Sequence, residues 1–128
     1  MTTVAAALIR RGASILICRR KEDQAHPLKW EFPGGKVEAG ETPVQALGRE
    51  LAEELAIDAR IGVEVQRYEY SYPGKAPILL IFYTVDGFRG EPRNRIFHEI
   101  RWVAPETLPE FDFLEGDVEL VRRLAAAG

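Results

Sequence analysis

Apolar and polar positions alternate with two different periods along this chain, and the changes of period divide it into elements. Val4 to Ile9 is a short apolar run closed by Arg10-Arg11-Gly12-Ala13, and Ser14 to Arg19 is a second run. Together they predict an opening β-hairpin. Glu22 to Lys29 is polar and contains Pro27, hence a loop. Trp30 and Phe32 alternate about Glu31, which suits a short strand with one aromatic face, and Pro33-Gly34-Gly35 predicts a turn with bare backbone. The period then becomes helical. Val44, Leu47, Leu51 and Leu55 fall on one stripe, and Thr42, Pro43 and Gln45 supply an N-cap, a first-turn proline and a capping-box partner. Two-residue alternation returns from Ala59 to Tyr72 (Ile61, Val63, Val65, then Tyr68, Tyr70, Tyr72). A turn at Tyr72-Pro73-Gly74-Lys75 leads into Ile78 to Val85, an apolar run expected to be buried on both faces. This second hairpin is expected in the middle of a mixed sheet. Gly87 to Arg95 reads as a mobile loop, Glu99 to Val103 as a strand, and Pro105 to Pro109 as a turn or short helical piece. Gly116-Asp117 opens a last amphipathic helix through Val118, Val121 and Leu124.

The polar positions of the first helix change the picture. At about 100° per residue, Glu50, Glu53 and Glu54 span roughly a quarter of the circumference, beside the apolar stripe. Like charges crowded on a half-buried edge raise one another's pKa. A divalent cation among them would relieve that repulsion, and oxygen-only ligands favour Mg²⁺ or Mn²⁺. The alternative is an acidic solvated face with Arg49 and Glu53 as an i,i+4 pair.

Bulk properties narrow the classes. The chain has 128 residues, 46% of them hydrophobic and 29% charged, which suits one globular domain over 1–128. A net charge of −3 offers no general attraction to nucleic acid polymers, so phosphate binding has to be local or carried by metal. The single Cys18 excludes an internal disulfide and a cysteine metal cage, and its apolar neighbours predict burial. No apolar run approaches the roughly 20 residues of a membrane span, and the N-terminus lacks a signal-peptide pattern. The expectation is a cytoplasmic protein without membrane contact.

The segment from Gly35 to Ile57 resembles the Nudix box, G-x5-E-x7-R-E-U-x-E-E-x-G-U with U apolar. Gly35, Glu41, Arg49, Glu50, Leu51, Glu53, Glu54 and Ile57 fill eight of nine defined positions over 23 residues. Ala56 stands where the family has glycine, at the helix exit, where left-handed backbone is expected to cost alanine about 1 kcal/mol. A looser resemblance to MutT-type pyrophosphohydrolases covers nearly the whole chain. It includes Arg19-Arg20, the Trp30 to Glu38 run, Gly90-Glu91-Pro92, Ile100 to Val103, and Phe113 to Asp117.

The resemblance implies an α/β fold, the Nudix α/β/α sandwich with a mixed β-sheet between helices, as a monomer or homodimer. It implies hydrolysis of nucleoside triphosphates to a monophosphate and pyrophosphate, with an oxidised purine such as 8-oxo-dGTP as substrate. CTP or dCTP hydrolysis and a non-catalytic nucleotide sensor are the alternatives. The implied metal ligands are Glu50, Glu53, Glu54 and the Gly35 carbonyl. Glu41 would brace them, Arg49 would orient the carboxylates, and Glu53 or Glu54 would take a water's proton. Family members also use an acid from the loop before the late Trp strand. Ile96 occupies that spot here, leaving Glu99 or His98 as candidate accessory bases. Arg20 and Lys36 are candidate phosphate contacts, each with a solvated alternative. Phe32 either borders a nucleobase or packs in the core. Asp117 is a candidate reader of the base edge and N-cap of the last helix, expected to be ionised and to accept only.

Overall fold

The computed structural model describes residues 1–127. Its strands are β1 (Thr2–Leu8), β2 (Arg10–Arg11), β3 (Ser14–Arg19), β4 (Trp30–Glu31), β5 (Gly34–Lys36), β6 (Asp58–Tyr70), β7 (Ile78–Arg89) and β8 (Glu99–Val103). The helices are α1 (Pro43–Leu55) and α2 (Val118–Ala127), with 3₁₀ turns at Pro105–Glu110 and Glu115–Asp117. One four-stranded sheet has the order β5-β1-β7-β6 and is mixed, because β1 and β7 run parallel. The other is antiparallel: β2 and β4 pair with β3, and β8 pairs with β3 along Ile15 to Arg19.

Alternation along single strands builds an α/β/α sandwich from these sheets. Ala5, Ala7, Leu16, Cys18, Ile81 and Tyr83 pack toward Leu47, Leu51 and Leu55 of α1. Their neighbours Ala6, Leu8, Ile15, Ile17, Leu80 and Phe82 pack toward Leu120 and Val121 of α2. The central strands are therefore apolar on both faces, as the Ile78 to Val85 run predicts. Each fully buried leucine of α1 contributes about 2 kcal/mol over an exposed one.

Both ends of α1 are set locally. The capping box forms: Gln45 N–H donates to Thr42 Oγ1 at 3.1 Å, and Thr42 N–H to Gln45 Oε1 at 2.9 Å. At the other end Ala56 holds left-handed backbone (φ 57°, ψ 34°), and its N–H reaches the Ala52 carbonyl at 3.1 Å. Ala56→Gly should therefore stabilise the protein by about 0.5–1 kcal/mol, the left-handed strain less the entropy glycine adds to the unfolded chain. That raises Tm by roughly 2–4 °C. A calorimetric midpoint at or below the parent's would contradict this.

Several expectations are corrected. The opening hairpin is confined to β2 and the start of β3, because β1 pairs instead with β7 and β5 across the chain. Pro33-Gly34-Gly35 is no bare turn: Gly34 to Lys36 is an edge strand on β1, and Ala7 N–H donates to the Pro33 carbonyl at 2.9 Å. The β6–β7 hairpin lies off-centre, with β6 on the sheet edge. Register shifts between Arg60 and Gln66 interrupt its alternation and leave Val63 66% and Val65 41% exposed. Val44 is 43% exposed and leaves the helix stripe. Gly87 to Arg95 is tied down, since β7 continues to Arg89 and the loop caps α1. Arg93 and Arg95 N–H groups donate to the Leu55 and Glu54 carbonyls at 2.8 and 3.2 Å, meeting helix-end acceptors that would otherwise face water.

Candidate active site

Arg49 organises the acidic edge of α1. Its Nε and Nη2 bind the two oxygens of Glu41 at 2.7 and 2.9 Å, and Nη1 donates to Glu50 at 2.9 Å. Nη1 also reaches Glu53 at 3.5 Å, and Nη2 the Lys36 carbonyl at 3.3 Å. The planar fork fixes both acids at once, which a lysine cannot do. Glu41 accepts a further bond from Glu38 N–H at 3.0 Å. The guanidinium first, and then this bond, hold the Glu41 carboxyl down to about 2.

Glu54 is the buried member of the set, 8% exposed among the leucines of α1. It accepts from Gly34 N–H at 3.3 Å. Burial pushes its carboxyl up to about 9, and the neighbouring Glu50 charge adds to the rise. Gly35 permits the Glu50 approach, because a Cβ there would lie 2.5 Å from the Glu50 carboxyl carbon. Two neighbouring carboxyls beside the Gly34-Gly35 backbone, with oxygen donors only, suit a hard divalent cation. Glu53 stands apart, its side chain 60% exposed and turned toward Arg49. Among the described residues, no three acidic, histidine or cysteine side chains converge as a ready-made metal site.

The same carboxyl lines a cavity of about 350 Å³ that also receives Asp117, Glu31, Arg20, Lys36 and Phe32. Phe32 is both floor and core: it is buried, with ring centroids 5.2 Å from Phe113 and 6.3 Å from Phe82. Its N–H donates to Asp117 Oδ2 at 3.3 Å, while Gly34 N–H serves Glu54. Both acids thus hang from one short backbone segment, at amides two residues apart. Arg20 faces Glu31 at 3.3 Å and is steered by the Ala25 carbonyl at 2.8 Å. Burial pushes Glu31 up to about 7, with Arg20 opposing.

Asp117 departs from expectation in two ways. Its carboxyl accepts from Phe32 rather than capping α2, which begins one residue later. Burial first, and then the Glu31 charge, push it up to about 8, so it is largely protonated at neutral pH and can donate. The linkage has a definite sign. The native state keeps a proton that the unfolded chain loses near 4, so this group erodes stability as pH rises from about 4 to 8. Asp117→Asn removes the penalty. Its Tm should gain on the parent's steadily across that window and run parallel above it; a constant difference from pH 5 to 8 would contradict the assignment.

Glu99 does not reach the site. Ile100 and Trp102 of β8 turn toward the α1 core, leaving Glu99 to the opposite face, where Arg101 holds it at 2.8 and 3.1 Å. His98 is exposed and lies outside the cavity lining. Ile96 does line it, at the spot where the resemblance puts the family's loop acid, and so do Glu31, His26 and Tyr72, which carry no expected role in the site. Only Glu31 carried a signal, a charge between two core aromatics.

Comparison with known proteins agrees with this geometry. The NUDIX domain model matches residues 1–124. An 8-oxo-dGTP diphosphatase of Haemophilus influenzae is 42% identical over 122 residues, 94% of this chain and 89% of the relative. A CTP pyrophosphohydrolase of Escherichia coli is 34% identical over 126 residues, 98% of this chain and 93% of the relative. Among solved structures, the E. coli ORF135 protein superposes with a TM-score of 0.87 at 34% identity, covering 98% of this chain and 89% of its own. A MutT structure from the study of the Aliivibrio salmonicida and Vibrio cholerae proteins gives 0.84 at 29% identity, covering 99% and 98%. With an Arg49-centred acidic helix edge opening into one cavity, the chain belongs to the NUDIX family, as a MutT-type hydrolase.

Proposed function

We propose that this protein hydrolyses nucleoside triphosphates to the monophosphate and pyrophosphate, with an oxidised purine such as 8-oxo-dGTP preferred. The observation that carries the reading is a single cavity with two unlike ends on one backbone segment. Glu54, with Glu50 and Arg49 behind it, faces the Gly34 amide, and a neutral Asp117 faces the Phe32 amide. We assign the cation as Mg²⁺, with Mn²⁺ able to substitute, held by Glu50, Glu54 and the Gly35 carbonyl, and by Glu53 once it leaves Arg49. Such an ion supplies charge neutralisation and water activation. Arg49 keeps Glu41 and Glu50 in place, and Lys36 stands at the cavity for phosphate contact. A cation held there would favour the ionised form of Glu54, and an ionised Glu54 would be able to take a water's proton.

Base choice follows from donor and acceptor matching. Oxidation at C8 converts guanine N7 from an acceptor to an N–H donor. An acceptor oxygen of Asp117 or Glu31 in the cavity would match that N–H and be left unpaired against an unoxidised N7, and one mismatched buried group costs about 1–3 kcal/mol, or roughly 5- to 150-fold in affinity. The 8-oxo-dGTP diphosphatase relative supports the same choice. The second reading, CTP or dCTP, rests on the E. coli CTP pyrophosphohydrolase relative. The cytoplasmic nucleotide pool is the matching location; among the described residues no helix is long and apolar enough to cross a membrane. Comparing kcat/KM for 8-oxo-dGTP, dGTP, CTP and dCTP, with and without Mg²⁺, tests the reading. A preference for CTP moves the assignment to the second reading, and binding without turnover makes the protein a sensor.

A further inference from the structure

Asp117 follows a glycine, the residue with the most backbone freedom to lose, and sits where a 3₁₀ turn passes into α2. A carboxyl placed there is aimed only as well as the Gly116 peptide units are held. Two phenols from the same face of one hairpin hold them. The Tyr68 hydroxyl donates to the Gly116 carbonyl, and Gly116 N–H donates to the Tyr72 hydroxyl at 3.0 Å. The fit leaves no room for a side chain, since a Cβ on Gly116 would fall 2.9 Å from the Tyr72 hydroxyl.

Tyr72 also reaches a third segment. Its ring centroid lies 4.6 Å from that of His26, on the loop between β3 and β4, and both rings line the cavity that Asp117 enters. That loop holds His26 and Leu28 in left-handed backbone (φ 52° and 61°), a conformation non-glycine residues keep only when their surroundings impose it. The Arg20 and Arg19 side chains impose it, donating to the Ala25 and Leu28 carbonyls at 2.8 and 3.0 Å. Tyr72 is thus the residue at which the loop, the β6–β7 turn and the Gly116–Asp117 segment meet.

We propose that Tyr72 is a positioning residue for base recognition: its hydroxyl fixes Gly116 so that the Asp117 carboxyl faces the cavity, and its ring, packed at a tilt against His26, completes the wall against which the base lies. This rests on the base-reading role given to Asp117 above. The two halves of the side chain have separable consequences. Losing the hydroxyl frees the Gly116 peptide and blunts discrimination between bases, because small displacements of a recognition group are costly. Losing the His26 ring weakens every base alike, because stacking does not depend on the hydrogen-bonding pattern.

The test is metal-free calorimetric binding of 8-oxo-dGMP and dGMP to the parent, Asp117→Ala, Tyr72→Phe, Tyr68→Phe and His26→Ala. The parent is expected to prefer 8-oxo-dGMP, and Asp117→Ala to lose the preference. Tyr72→Phe should lose about 5- to 10-fold of the preference. Tyr68→Phe, which frees the adjoining Gly116–Asp117 peptide, should lose a similar amount and serves if the first variant does not fold. His26→Ala should weaken both ligands several-fold and leave their ratio unchanged. If both phenylalanine variants keep the full ratio while Asp117→Ala loses it, the positioning role is wrong and the base-reading role stands. A parent that does not separate the two monophosphates sinks the base-reading role and this inference with it.

Discussion

Glu54→Gln should lower turnover of nucleoside triphosphates about 100- to 1,000-fold while the protein stays folded, the scale expected when an electrostatic partner of the reacting centre is lost. Glutamine has the shape of the protonated glutamic acid, the form that burial and the Glu50 charge favour without metal. It can still accept from Gly34 N–H, so the packing of α1 has no reason to change. What it cannot do is become an anion when a divalent cation arrives. Metal-linked stability separates the two proteins without any substrate. A ligand at a hundred times its Kd raises stability by about 2.7 kcal/mol. The parent's Tm should therefore climb with Mg²⁺ and the variant's should stay flat. Equal turnover, or equal Mg²⁺ response, would remove Glu54 from the site.

Arg49→Lys should cost roughly 100-fold in kcat, the upper range for groups that orient metal ligands. The parent guanidinium serves Glu41 through two parallel bonds and Glu50 through a third, and it also braces the Lys36 carbonyl. Lysine keeps the charge but has one nitrogen where Arg49 uses three. Glu41 and Glu50 can no longer be held together, and the concentration of Mg²⁺ needed for half-maximal rate should rise. The base end is untouched, so the preference between 8-oxo-dGTP and dGTP should persist in the remaining activity. A variant with parental kcat would show that Arg49 is a surface ion pair and nothing more.

The residues legible from sequence were those whose roles are set within one or two helical turns. Thr42 and Gln45 announce their cap by spacing alone, and the structure forms it. Ala56 was legible as a strained exit because the chain must turn left-handed there whatever packs nearby. Glu99 could have been read correctly from its own strand: Ile100 and Trp102 claim one face, which puts Glu99 on the other. Partnering across the chain was not legible. Gly12 signals a turn after β1, but nothing local says that β1 will lie parallel to β7 rather than beside β3. The same holds for Gly34 and Gly35, whose turn-like composition is overridden by pairing with Ala6 and Ala5. The stretch from Gly87 to Arg95 looked mobile because the amides of Arg93 and Arg95 find their acceptors on a helix some 40 residues earlier.

Proton states were beyond the sequence for a related reason. Asp117 is an ordinary acid until α2, Phe32 and Glu31 enclose it, and only enclosure makes it a donor at neutral pH. Glu31 shows the converse. Its burial costs less than it would alone because Arg20, far enough along to lie on another strand's exit, turns back to face it.

The most direct measurement is product analysis of 8-oxo-dGTP incubated with the parent protein and with Glu54→Gln, each with millimolar Mg²⁺ and with chelator. The account predicts 8-oxo-dGMP and pyrophosphate in equal amounts from the parent, only when Mg²⁺ is present, and almost none from the variant. Orthophosphate in place of pyrophosphate, product formation in chelator, or an undiminished rate in the variant would contradict it.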